Sequence, residues 1–358
     1  MLSNVFATDE VNVDKFISEV KGYSNDIFPE LSDEDFLNSV LKGKMTVSGL
    51  TIIKRVSNLV FKEFKENKSL LFQIIGISFL CAILKHIQSS FGGSVSEIAF
   101  YVCYMLIIVL IIASFTNITT ISINAINKLT SFMEIIIPTL IALMIGMGNI
   151  STVIAMQPII LTLISIISVI VSKLVIPIIV TSTILNLIGN ISKQVNVESL
   201  SKFMKKTVMY VLEFVMIIFL GLLSLEGSLA SNVDGITAKV AKTAVSNVVP
   251  VVGKLISDAT DSVIGAVSIT KNAVGIIGML TIVMIVAGPI LKAFVCMTFF
   301  NLSSAICDTI ADERISKSMS TVAESIKHIF GILIMVLFLF IIAITLMIKM
   351  SNFSLMYR

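Results

Sequence analysis

Between Ile135 and Ser172 the chain runs for 38 residues without a charged side chain. As a helix rising 1.5 Å per residue that run is about 57 Å long, nearly twice the ~30 Å thickness of bilayer hydrocarbon. One straight crossing does not use it up. A turn is therefore expected near Gly146-Met147-Gly148-Asn149 or at Gln157-Pro158, giving a tight helical hairpin or two broken helices. The same character extends along the chain. With 56% hydrophobic residues, 14% charged residues and a mean hydropathy of +1.00, too little polar surface is left for a soluble domain. The expected fold is all-α, a polytopic transmembrane helix bundle.

Parsed against the roughly 20 residues a crossing needs, the apolar runs number seven to nine. Residues 69–84 reach the required length by snorkelling Lys85, and 98–118 span next. Residues 121–132 are amphipathic enough to lie at the interface. Two crossings follow in 135–172 and another in 174–191. The segment 193–206 carries four lysines against Glu198 and reads as a basic cytoplasmic loop. Residues 207–225 span with Glu213 inside them, and 272–291 span after the central stretch. Residues 293–307 are too short for a comfortable crossing and read as re-entrant or tilted. A polar linker at 308–328 then leads to the clearest span, 329–348. On this parsing the amino-terminal region and the central stretch share one side, and the loop at 193–206 lies on the other.

The first 68 residues differ from the rest. Residues 1–43 are acidic and 44–68 basic, as befits a polar region outside the bilayer followed by a segment along the headgroups. Val5 and Ala7 occupy the small-residue positions of a secretory signal end, although the charged and long apolar parts of a signal are missing. Residues 1–7 read either as the remnant of a longer precursor or as an ordinary start. The expected organisation is 1–68, a bundle over 69–227, a platform over 228–271 and carboxyl-terminal spans over 272–358.

The platform is the segment that is neither a span nor an ordinary polar loop. Its polar residues fall at helical spacing, Lys239, Lys242 and Asn247, then Lys254, Ser257, Asp258 and Asp261. Pro250 removes an amide donor and restricts Val249, so two short amphipathic helices are expected on either side of it. Their apolar faces need a partner, whether bilayer surface, bundle or another subunit. Asp234, Gly235, Lys239, Lys242, Pro250, Val251, Val252, Gly253 and Asp258 are the assembly or gating candidates.

Chemistry-bearing motifs are sparse. No phosphate-binding glycine loop, H-E-x-x-H or nucleophile elbow occurs, and His86 and His328 stand far from metal-ligand partners in sequence. Catalytic, cofactor and metal sites are not expected. A net charge of +3 with no aromatic-interleaved basic cluster argues against nucleic acid. Cys81, Cys103, Cys296 and Cys307, far apart in apolar runs, read as packing residues. Ionisable groups in or beside spans are costly in lipid and mark either helix ends or a solute path. Glu134, Lys173, Glu226 and Lys292 suit helix ends, whereas Glu213 lies inside its span. Asn149 and Gln157 are further intramembrane polar candidates, suited to bonds between helices.

The order Gly221 to Gly227, Asp234-Gly235, Lys239 and Lys242, Val249-Pro250-Val251-Val252-Gly253, Ser257-Asp258 and Lys271-Asn272-Ala273-Val274-Gly275 resembles the stage III sporulation protein AE family. The likeness extends diffusely over 69–352. It implies a non-enzymatic multi-pass protein of the mother-cell membrane around the forespore, usually made with a signal peptide. Its implied place is a channel complex needed for late forespore gene expression. The implied partners are other stage III sporulation A-operon proteins and, through them, stage II sporulation protein Q, with lipid and a homo-oligomer also compatible. The alternative is a secondary transporter, supported by the broken run 135–191 and Glu213, though no internal repeat accompanies it.

Overall fold

Helices account for the observed architecture because uncharged runs in lipid must satisfy their backbone internally. The computed structural model describes residues 18, 20–22, 49–91, 94–148, 150–191, 197–222, 252–310 and 313–356. Its long helices are α1 (Gly49–Phe91), α2 (Ser94–Gly146), α3 (Ile150–Val169), α4 (Ile176–Ile191), α5 (198–222), α6 (Val252–Ile310) and α7 (Glu313–Met356). No strand occurs among the described residues.

The turn expected in the long uncharged run lies at Gly146-Met147-Gly148. Gly148 adopts φ 81°, a left-handed conformation that glycine enters without a Cβ penalty, and its N–H bonds Ile145 O at 2.8 Å. Gln157-Pro158, the other expected break, falls inside α3. Helices α3 and α4 are joined without a loop by a π turn, Ile170–Val175. Pro177 explains it: its ring has no N–H for Lys173 O and crowds that carbonyl, so the helix widens and Ile176 N–H reaches back five residues to Val171 O.

Four helical stretches among the described residues are long and apolar enough to cross a membrane, Tyr101–Gly146, Gln157–Asn190, Ser262–Thr309 and Glu313–Lys349, with a shorter apolar stretch at Phe72–Ile83. The seven to nine separate spans do not emerge as separate helices, because neighbouring apolar runs fuse. Residues 98–118, 121–132 and the start of 135–172 all belong to α2, whose 53 residues extend about 80 Å. Residues 293–307 are not re-entrant. They continue α6 without a break, burying Ala293, Cys296, Phe300, Ser304 and Cys307 at helical spacing. The boundary at 271/272 likewise falls within α6.

Two expected loops are also helix. The polar linker at 308–328 is, from Glu313, the first four turns of α7. Ile315, Met319, Val322, Ile326, Ile329, Leu333, Val336, Phe340, Ala343 and Met347 form one buried stripe with alternating steps of four and three. That stripe crosses the polar-to-apolar boundary at 328 unchanged. Most of the basic loop at 193–206 is the start of α5, whose buried positions Ser201, Lys205, Val208, Leu212, Val215 and Phe219 repeat the pattern.

Helix α7 packs most extensively on α6, and also on α2 and α4, while α1 covers α2 and α6. Ser304 meets Ser316 near one end of the α6–α7 pair, and Lys271 Nζ bonds Ile348 O at 3.0 Å near the other, so the two are antiparallel. One end of the bundle therefore gathers the ends of α4 and α6 and the starts of α5 and α7. The opposite end holds the Gly148 turn and the start of α6. Gly146 faces Val267, so residues 252–266 of α6 extend past α2. The four cysteines are free, three of them buried, in keeping with a packing role.

Candidate functional site

The heptad-like stripe of α5 contains one residue that does not belong in an apolar interface, Lys205. Its side chain is 8% exposed, and its Nζ lies 2.8 Å from Glu324 Oε2 on α7. Removing an ammonium from water requires such a partner. One turn earlier, Ser201 and the α4 residue Ser182 exchange hydroxyl-to-carbonyl bonds of 3.0 and 3.1 Å. Thr183 donates to Ser325 at 2.7 Å, and Ser318 joins Tyr104 at 3.0 Å and Asn190 at 3.3 Å. Together these bonds form a polar seam joining α2, α4, α5 and α7. By contrast, Glu198–Lys202 is an exposed 2.7 Å pair on the α5 surface. The Lys202 hydrogen bond and charge hold the Glu198 carboxyl below its ordinary range, and the bond and charge of Glu198 raise the Lys202 ammonium.

Next to the seam, α5 and α7 diverge around a groove of about 480 Å³. Met209, Leu212, Glu213 and Met216 form one wall; Glu324, Lys327, His328, Gly331, Ile332 and Met335 form the other. A Cβ on Gly331 would meet nothing within 4 Å, so glycine leaves the floor open. His328 Nδ1 lies 2.7 Å from Glu324 O on its own helix. Glu213 is exposed at the mouth. Two carboxylates, an imidazole and an ammonium around an otherwise apolar, methionine-lined groove can hold a cationic group or relay a proton. No cluster of three metal-ligating side chains occurs among the described residues.

Of the residues singled out by sequence, Glu213 is the one that the groove brings together with other ionisable groups. Gln157 is exposed on α3, away from it. Asn149, Asp234, Gly235, Lys239, Lys242, Pro250 and Val251 lie outside the described residues. Val252, Gly253 and Asp258 fall in the first turns of α6, where the backbone alone is described. Glu134 and Lys173 are exposed within their helices rather than at helix ends, and Lys292 is half-buried inside α6. Sequence reading missed Lys205, Glu324 and the fully buried Lys271. The first was legible in the α5 spacing. The last was not, because Lys271 stands beside residues that read as the start of a span.

Comparison with known proteins places this geometry in context. The family described as Stage III sporulation protein AE matches residues 31–351. The chain is also 29% identical over 352 residues to Stage III sporulation protein AE of Bacillus subtilis (strain 168), covering 98% of this chain and 88% of that one. No solved structure matches it.

Proposed function

The chain belongs to the stage III sporulation protein AE family, and from that premise we propose that it is a non-enzymatic, multi-pass component of a channel complex in the mother-cell membrane around the forespore. The family match over most of the chain, joined to helices long and apolar enough to cross a bilayer, carries this reading. Its partners are other stage III sporulation A-operon proteins and, through them, stage II sporulation protein Q. Residues 228–271 are the assembly or gating element, with Pro250 and Gly253 setting its geometry. Burying apolar faces there against a partner contributes on the order of 25 cal/mol per Å². The double substitution Val251→Asp and Val252→Asp is expected to leave insertion intact while abolishing both partner co-purification and late forespore gene expression. Normal co-purification from the variant would overturn the assembly role.

A second reading, a proton- or cation-coupled transporter, is favoured by one observation, the gathering of Glu213, Glu324 and His328 around the groove. It requires solute flux by the purified protein alone in liposomes, abolished by Glu213→Gln. Flux unchanged by that substitution removes the reading.

A further inference from the structure

Two side chains of opposite charge lie on the outer surface of the bundle with no ion pair among the described residues: Glu213 on α5, and Lys173 in the π turn between α3 and α4. Both belong to the apolar part of the molecule. Glu213 is the one charge between Lys206 and the end of α5, and Lys173 ends the 38-residue uncharged run. A charge facing hydrocarbon is costly, and the usual resolution is an opposite charge at the same depth.

The depths match. Helices α4 and α7 are antiparallel, locked by the Thr183–Ser325 and Asn190–Ser318 bonds. Ten residues back along α4 from Thr183 is Lys173; ten residues forward along α7 from Ser325 is Met335, which lines the groove that Glu213 borders. Their faces differ, however. Twelve residues separate Glu213 from Ser201, which meets α4, so Glu213 is turned about 120° away from that contact. Lys173, nine residues before Ser182, is turned away from the same contact on its own helix. Within one chain the two sit on separate outer faces at one level.

We propose that the groove between α5 and α7 is a docking surface for a second copy of this chain, whose Lys173 ammonium enters it and pairs with Glu213. Each copy then offers Lys173 to one neighbour and receives another neighbour's lysine in its own groove, a head-to-tail contact. The methionines Met209, Met216 and Met335 suit such a site, since their unbranched side chains adapt to an incoming helix surface. Two other lysines stand at comparable levels. Lys292 is half-buried inside α6. Lys128 lies on α2 only two turns before Ile136, which packs at Gly278. That places it near the level of Met335, because Gly278 also meets Ile344, eight residues beyond Val336 on the parallel helix α7, and the cross-linking comparison separates it from Lys173.

The test uses full-length chains, free of native cysteines, in the membranes of a host that does not sporulate, so its outcome is independent of the channel reading. Copies carrying Glu213→Cys and one affinity tag are produced with copies carrying Lys173→Cys and another tag. A short bis-maleimide is expected to give a doubly tagged dimer, whereas Lys128→Cys or Lys292→Cys in place of Lys173→Cys gives none. With the cross-linking pair moved to flanking positions 216 and 170, Glu213→Lys alone and Lys173→Glu alone should each cut the yield about tenfold or more. That corresponds to loss of a desolvated charge pair. The double exchange Glu213→Lys with Lys173→Glu should restore it. Absence of the doubly tagged dimer when both cysteines label normally, preference for Lys128→Cys or Lys292→Cys, or failure of the double exchange to restore the yield would each overturn the proposal.

Discussion

Lys205 shows how a single residue can be set by packing rather than by its chemistry. It occupies a stripe position of α5 otherwise filled by Ser201, Val208, Leu212, Val215 and Phe219, so its ammonium is drawn between helices and depends on Glu324. Removing the carboxylate with Glu324→Ala should cost about 2 kcal/mol, toward the lower part of the range for a hydrogen bond to a charged group because Glu324 is itself half exposed. Replacing both residues, Lys205→Met with Glu324→Leu, should recover most of that loss, since a well-packed apolar pair rivals a buried ion pair. Thermal unfolding in detergent, followed by circular dichroism, separates the two cases. Glycines on α6 carry the opposite constraint. A Cβ on Gly275 would overlap Ile348 Cδ1, and one on Gly278 would overlap Ile136 Cδ1. Both obstacles are the far ends of flexible side chains. Gly278→Ala is therefore expected to destabilise by about 1 kcal/mol, with Ile136→Val relieving it in the same melting experiment.

At the scale of the element, α7 separates two kinds of signal. Mean hydropathy divides 308–328 from 329–348, and the expected polar linker rested on it. The buried stripe from Ile315 to Met347 runs through that division, because packing in a bundle selects positions by period and not by total polarity. The serines between the stripe residues then find partners across helices, as Ser325 does with Thr183. Ser320→Pro distinguishes helix from linker: Ser320 is exposed, so a linker would tolerate the change, whereas in α7 it should cost about 3 kcal/mol or more. A melting temperature indistinguishable from wild type would restore the linker. The turn at Gly148 was legible beforehand for a related reason. A glycine pair in an uncharged run too long for one crossing has few other uses. The π turn was not, since Pro177 near the start of a span reads equally as a kink, a cap or a break until the neighbouring helices fix which.

For the whole molecule, the order of passes decides which parts share an end. The Gly148 turn and the start of α6 lie at one end of the bundle; the starts of α5 and α7 lie at the other. Single cysteines introduced as Ser257→Cys and Lys202→Cys, in a chain without native cysteines, should therefore label from opposite sides of the membrane. Labelling of both by an impermeant reagent from one side would contradict the bundle's connectivity. By itself the sequence determined that this is an all-helical membrane protein, that its longest uncharged run turns at one of two places, and which family it resembles. Each of those is written in local composition, glycine placement or residue order. Only the tertiary structure decided that neighbouring apolar runs fuse into helices of up to 59 residues, that Lys205 is inside, and that Glu213 and Lys173 stand outside at one depth. Those depend on which face of each helix finds a neighbour, and a helix acquires that information only from the others packed against it.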